Sequence, residues 1–285
     1  STNDSVTFGE NAGASFKSST IYNVAIGFEA GRYASSTDTD RSNLIGYQAG
    51  YNNIGAYNNI IGSGAGHENT GWYNNLIGVD AGYNNTGDDN NLIGDEAGYH
   101  NTGSDNEMIG HGAGRNLQST SSVIIGSEAY RGGAGTTAFQ AINNTALGYR
   151  AGYSAQTGAS NNILLGYQAA DNITTGANNI VIGYDVDIAS TTRSNQLNIG
   201  NLIFGTGIDG TGTSLSSGNI GIGTTTPGSR FAIEKLTFTG AGVAGITQNI
   251  RSTNVTASAV QYGNFGYLYA SNTATTTIAG NMFKI

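Results

Sequence analysis

Two adjacent apolar residues followed by glycine recur along the first two thirds of the chain. In the cleanest copies the frame reads Asn-Asn-Leu-Ile-Gly-x-x-Ala-Gly-Tyr-x-Asn-Thr-Gly, as over 74–87. The glycine closing each apolar pair falls at Gly9, Gly27, Gly46, Gly62, Gly78, Gly94, Gly110, Gly126, Gly148, Gly166 and Gly183, at intervals of 18, 19, five of 16, then 22, 18 and 17 residues. A period this short is too small for a helical hairpin or a propeller blade. It predicts one coil of a β-solenoid per repeat, each stacked on the last. About eleven coils at about 4.8 Å each make a rod of roughly 50 Å.

Within the repeat, the residue before the glycine is always large and apolar, as at Phe8, Ile26, Ile45, Ile61, Ile77, Ile93, Leu147 and Ile182. The residue before that is mostly apolar too, as at Leu44, Ile60, Leu76, Leu92, Met108 and Leu164. Strand neighbours point to opposite faces. One column therefore fills the coil's own core, and the other emerges outside unless something covers it. A continuous stripe of exposed Leu and Ile is an aggregation hazard. The pairs Leu44/Ile45, Leu76/Ile77 and Leu92/Ile93 are accordingly read as core and oligomer columns, and a closed, cyclic homo-oligomer is expected. The competing reading covers both faces within one chain, in a two-layer roll.

Three positions after the anchor glycine, alanine recurs, and glycine usually follows it. The small residue fits a close approach of backbones, and the glycine fits a corner needing positive φ. The Asn-Asn pairs at 58–59, 74–75, 90–91, 161–162 and 178–179 precede the apolar pair. Asparagine tolerates a left-handed backbone and can stack as a hydrogen-bonded ladder between coils. Longer polar spacers around Ser35–Ser42 and Gly132–Ala141 read as loops bulging outward. Three parts are expected: the array over 1–200, a transition over 201–235 with Asn219-Ile-Gly-Ile-Gly-Thr-Thr-Thr-Pro-Gly, and a Thr/Val/Tyr-rich β extension over 236–285.

Composition narrows the function. The chain holds 45 Gly, one Pro and no Cys, with 11% charged residues and net charge −8. Glycine without a triplet period excludes collagen, and the fixed apolar columns argue against a solvated linker. Nucleic acid is excluded as a partner, since Lys17, Lys235 and Lys284 are the only lysines and no basic stripe exists. No apolar run of about 18 residues is present to span a bilayer. Absence of Cys removes disulfides and thiolate metal sites alike. The opening Ser-Thr-Asn-Asp lacks a basic-then-apolar leader, which reads as a mature protein or a fragment.

The repeats Asn23-Val-Ala-Ile-Gly-Phe-Glu-Ala-Gly and Asn144-Thr-Ala-Leu-Gly-Tyr-Arg-Ala-Gly resemble the head repeats of trimeric autotransporter adhesins of the YadA type. They are also similar to repeats of bacteriophage tail fibres and related prokaryotic surface fibres, as is the segment Asn219-Ile-Gly-Ile-Gly-Thr-Thr-Thr-Pro-Gly-Ser-Arg-Phe. The resemblance covers roughly residues 1–235. It implies a left-handed parallel β-roll, packed as a homotrimeric fibre on a cell or virion surface and used for adhesion. Sixteen residues is longer than the usual adhesin repeat, so extra residues sit in each outer loop. The matching positions are structural, so no ligand-binding residue carries over.

Five positions after the anchor, aromatic and cationic residues form a column that includes Tyr51, His67, Tyr83, Tyr99 and Tyr153. Tyr51, Tyr83, Tyr99 and Tyr153 could form a platform for a host-surface glycan or protein, because Tyr joins contact area to a hydroxyl. Alternatively the rings cover the next coil's corner and serve the stacking. Acidic residues in the middle array match neither an EF-hand nor a calcium β-roll, and read as a solvated face. His67, His100 and His111 lack ligand spacing, so no metal and no cofactor is expected. No nucleophile elbow or acid pair marks an enzyme. The expectation is thus a structural and adhesive fibre segment. The alternatives are a purely structural self-assembling filament subunit, or a phage tail fibre or tail spike, with or without glycan-degrading activity.

Overall fold

The computed structural model describes residues 4–16, 22–34, 40–132 and 138–233. The expected β extension over 236–285 lies outside the described residues, as do 35–39 and 133–137 of the two bulging loops. Among the described residues the structure is all-β, without helix. Twelve short strands, from Val6–Phe8 to Gln196–Ile199, pair in parallel through a single sheet and build a β-solenoid of about eleven coils. Like stacks on like. Asn59, Asn75 and Asn91 are partners in register, as are Ile60, Leu76 and Leu92, and Ile61, Ile77 and Ile93. Repeating one sequence every sixteen residues produces this match, because each coil places the same residue at the same height.

The strand separates the two apolar columns. Its middle residue is buried in every coil of the array after the first: Leu44, Ile60, Leu76, Leu92, Met108, Ile124, Leu164 and Val181 are within 1% of complete burial. Its third residue faces outward and stays partly exposed, as at Ile45, Ile61, Ile77 and Ile93. Each residue of the inner column is surrounded by its own coil, by the coils on either side and by the alanines of the corner, such as Ala81 and Ala97, which have no exposure.

Anchor glycines make the coil turn. Their φ values lie between +130° and +144°, a region closed to side-chain-bearing residues. A Cβ on Gly78 would also lie 2.4 Å from the carbonyl oxygen of Gly94 in the next coil. The ladder of backbone hydrogen bonds continues round the corner, with Gly82 N–H donating to the Ala97 carbonyl and Gly98 N–H to the Ala113 carbonyl at 2.9 Å. The glycine after alanine does need positive φ, as at Gly50 and Gly82 (+57°).

Asparagine closes the remaining side. Asn58, Asn74 and Asn90 are buried, and the Oδ1 of each accepts the backbone N–H of its counterpart in the next coil at 2.9–3.0 Å. A second buried ladder runs through Asn53, Asn69, Asn85 and Asn101, each amide donating to the previous one at 2.7–2.8 Å. These side chains satisfy backbone groups that the corner would otherwise leave unpaired in the interior.

Two departures mark the later coils. At the longest interval Tyr130 takes the place of the corner glycine, with φ of +48°. Its ring lies in the core against Gly152, and its hydroxyl donates to the Ala159 carbonyl at 2.7 Å and receives the Asn162 amide at 3.0 Å. The next coil carries Ala146 in the core column, leaving room for the ring. Parallel stacking then ends where Gln196–Ile199 pairs antiparallel with Ile203–Thr206, which pairs antiparallel with Asn219–Ile222. The last of the described strands, Phe231–Ile233, runs parallel to Asn219–Ile222.

Candidate functional site

Three surfaces of the solenoid carry chemistry. The first is the corner five residues past the anchor glycine. Tyr51, His67, Tyr83 and Tyr99 form a stack there, with centroids 4.7, 4.7 and 5.0 Å apart and planes within 10° of parallel. The coil spacing imposes that separation, which suits ring stacking. Arg115 extends the stack, its guanidinium 5.2 Å from the Tyr99 centroid and its Nε donating to Glu96 at 2.5 Å. Tyr33 meets Tyr51 edge-on at 5.0 Å.

Each inner ring therefore spends both faces on its neighbours, and all four rings are half-buried. Burial pushes the Tyr83 and Tyr99 phenols above their ordinary range; Tyr99, Glu68 and Asp80 add to the effect at Tyr83, and Asp80 and Glu96 add to it at Tyr99 against the opposing Arg115. Tyr51 moves the same way through burial and its contact with Tyr33. The structure brings Tyr51, Tyr83 and Tyr99 together. Tyr153 stands apart, since Arg115 and Arg131 occupy the two intervening coils. It receives the Arg131 guanidinium on its hydroxyl at 3.3 Å and lies under Arg150 at 4.9 Å. Glu128 pairs in turn with Arg150 at 2.6 Å.

The second surface is the outer face of the sheet. Its central stripe is the third strand residue, with Phe8, Ile26 and Leu147 exposed by 76, 37 and 50%. Stacked rings border it near both ends: Phe28 on Tyr47 at 5.5 Å, and Tyr149, Tyr167 and Tyr184 in series at 5.3 and 4.9 Å. In an outer row the Asn59 amide donates to the Asn75 carbonyl at 2.8 Å, Asn75 to the Asn91 carbonyl at 2.7 Å, and Asn91 to the Glu107 carboxylate at 2.6 Å.

The third surface flanks the entry to the strand, where sequence reading singled out nothing. Trp72 is exposed there beside Tyr73, with centroids 6.4 Å apart and planes tilted by 47°. Tyr73 stacks on Tyr57 at 4.8 Å, and Arg41 lies between Tyr57 and Tyr22 at 5.3 and 5.6 Å. The signal was available, since Tyr57 and Tyr73 are sixteen residues apart and both precede an Asn-Asn pair.

Among the described residues no three His, Cys, Asp or Glu side chains converge as metal ligands do. Among those residues no helix is long and apolar enough to cross a membrane. No protein-family model, no curated protein and no solved structure matches the chain.

Proposed function

We propose that the chain is a segment of an extracellular homotrimeric fibre on a cell or virion surface, a left-handed parallel β-roll that presents its outer corners to a surface glycan or protein. The observation that carries this reading is the unbroken apolar stripe on the outer face of the sheet, from Phe8 to Ile182, bordered by aromatic stacks. Covering one such side chain contributes on the order of 1 kcal/mol, and the stripe repeats the gain in every coil. Three copies facing one axis cover all three stripes with a closed symmetry, so association stops. The likeness of the repeats to adhesin heads and tail fibres points to the same arrangement. Rigidity follows from the ladders, and a stiff rod with repeated corners offers many weak contacts at once.

Light scattering on the native protein should return three times the 29.2 kDa chain mass. A folded monomer at micromolar concentration would falsify the proposal. Electron microscopy of the intact fibre then shows whether it leaves a cell or a virion. One observation favours the purely structural filament as a second reading. The Tyr51–Tyr99 stack turns its ring faces to one another, so that corner serves coil stacking before any ligand.

A further inference from the structure

We infer that the strand-entry flank around Trp72 is a binding site for a neutral glycan. Trp72 and Tyr73 form the stacking platform for a pyranose ring, and the carboxylates of Asp88 and Asp89 accept its hydroxyl hydrogens. The inference rests on the surface-presenting fibre read above, but on residues separate from both the Tyr51–Tyr99 stack and the apolar stripe.

Backbone conformation is the first observation. The position five residues before each anchor glycine is left-handed throughout the array, with φ of 44–62°. Asn, Asp and Ser hold it at Asp4, Asp89, Asp105, Ser121, Asn143, Asn161 and Asn178, and Asn and Asp tolerate this region readily. Four consecutive coils instead carry Tyr22, Arg41, Tyr57 and Tyr73, at φ of 56–61°. A bulky side chain there costs about 1 kcal/mol over asparagine. Stacking within the row offsets part of that cost, yet it leaves Tyr22 and Tyr73 about half exposed, at 52 and 53%.

Trp72 is the second observation. It is the only tryptophan of the chain, and it lies outside the parallel stack, tilted and 36% exposed. The equivalent position in neighbouring coils holds Ala56, Asp88, Ser104 and Thr120, so the coil itself needs no bulk there. Asp88 is fixed beside it. Its Oδ1 accepts the backbone N–H of Trp72 at 2.7 Å, and its own N–H donates to the Ser104 hydroxyl at 3.0 Å. The backbone beneath is packed to its limit, since a Cβ on Gly71 would lie 1.9 Å from the Gly87 carbonyl oxygen. The platform is thus rigid before a ligand arrives, which lowers the ordering cost of binding.

Chemistry selects the ligand class. Pyranoses present a face of polarised C–H groups, which matches the negative face of an aromatic ring. Their hydroxyls donate well to fixed carboxylates, because hydrogen bonds to charged acceptors are the stronger kind. Asp88, Asp89 and Asp105 are all exposed on this flank, so sulfated, phosphorylated or sialylated glycans are repelled. Arg41 is held between two tyrosine rings, its Nη1 donating to the Tyr57 hydroxyl at 3.0 Å.

The lone tryptophan makes the test direct. The full chain is titrated with cellohexaose, maltohexaose and chitohexaose while Trp72 emission and its quenching by acrylamide are followed. At least one sugar should shift the emission to shorter wavelength with saturation and reduce quenching. Calorimetry should show the Trp72→Ala/Tyr73→Asn variant about tenfold weaker or worse, and Asp88→Asn, which keeps an acceptor for the Trp72 N–H, weaker by a smaller factor. Light scattering and melting curves of these variants should match the parent. Unchanged emission with all three sugars overturns the inference. So does a blue shift that follows protein concentration without sugar, which assigns the flank to a second copy. Sugar binding that survives Trp72→Ala/Tyr73→Asn refutes this site and leaves the adhesive fibre standing. Sugar binding lost in that variant of a monomeric protein supports the site and removes the fibre.

Discussion

Glycine has two separate jobs in this chain, and they differ in what a substitution costs. At Gly78 both the φ of +138° and the 2.4 Å approach to Gly94 exclude any side chain. At Gly112 the φ is +60°, its nearest neighbour would be 3.8 Å away, and equivalent positions hold Asp80 and Glu96. Gly78→Ala should therefore destabilise by about 3 kcal/mol, and Gly112→Ala by about 1 kcal/mol, measured by denaturant unfolding. Asp80 supplies a second prediction at this scale. Burial, reinforced by Glu96 and Asp95, raises its carboxyl above the usual range. The folded state thus holds this proton more tightly than the unfolded state. Stability from Asp80 falls as pH rises from the ordinary carboxylate range through the raised value, and is lowest above it. Asp80→Asn should raise the unfolding free energy near neutral pH by less than about 1 kcal/mol given its solvent contact, seen as a higher Tm, and the gain should vanish in acid. A gain that persists unchanged at low pH would refute this assignment.

The coil corner is the element that decides what its tyrosines do. Sequence placed Tyr51, Tyr83, Tyr99 and Tyr153 in one column and left two roles open. Their spacing was legible, because sixteen residues return the chain to the same corner. Whether the rings splay outward or stack was not, because that depends on rotamers chosen against the neighbouring coil. Three of them join one stack through His67, and Tyr153 is diverted to arginines. Aromatic pairs contribute about 0.5–1.5 kcal/mol beyond burial. Changing Tyr51, Tyr83 and Tyr99 together to Ser should lower stability by about 2–3 kcal/mol, whereas Tyr153→Ser alone should cost less than about 1 kcal/mol. Equal, negligible effects in thermal melts would return the column to the ligand-binding role.

For the whole molecule, the two apolar columns have different consequences. Leu76 and Leu92 are enclosed by their own coils, so a charge there is buried without a partner and unfolds the array. Ile77 and Ile93 face outward and are only partly covered. Ile77→Asp with Ile93→Asp should yield a folded β-rich monomer by light scattering and circular dichroism. Leu76→Asp should yield no folded species. If the outward pair leaves the native mass unchanged, the stripe is not where copies meet.

Sequence by itself determined the period, the strand positions, the glycine at each turn and the existence of two apolar columns. A solenoid solves one local problem per coil, so each solution is written out again at the next interval and becomes visible as a column. Tertiary structure alone decided that the leucine column points inward and the isoleucine column outward. Both are apolar, and only the turn direction after Gly62, Gly78 and Gly94 distinguishes them. It also decided that Tyr130 fills space left by Ala146, and that Trp72 stands clear of the row formed by Tyr22, Arg41, Tyr57 and Tyr73. Those outcomes depend on contacts between coils, where residues far apart in sequence compete for one space, and no single repeat encodes them.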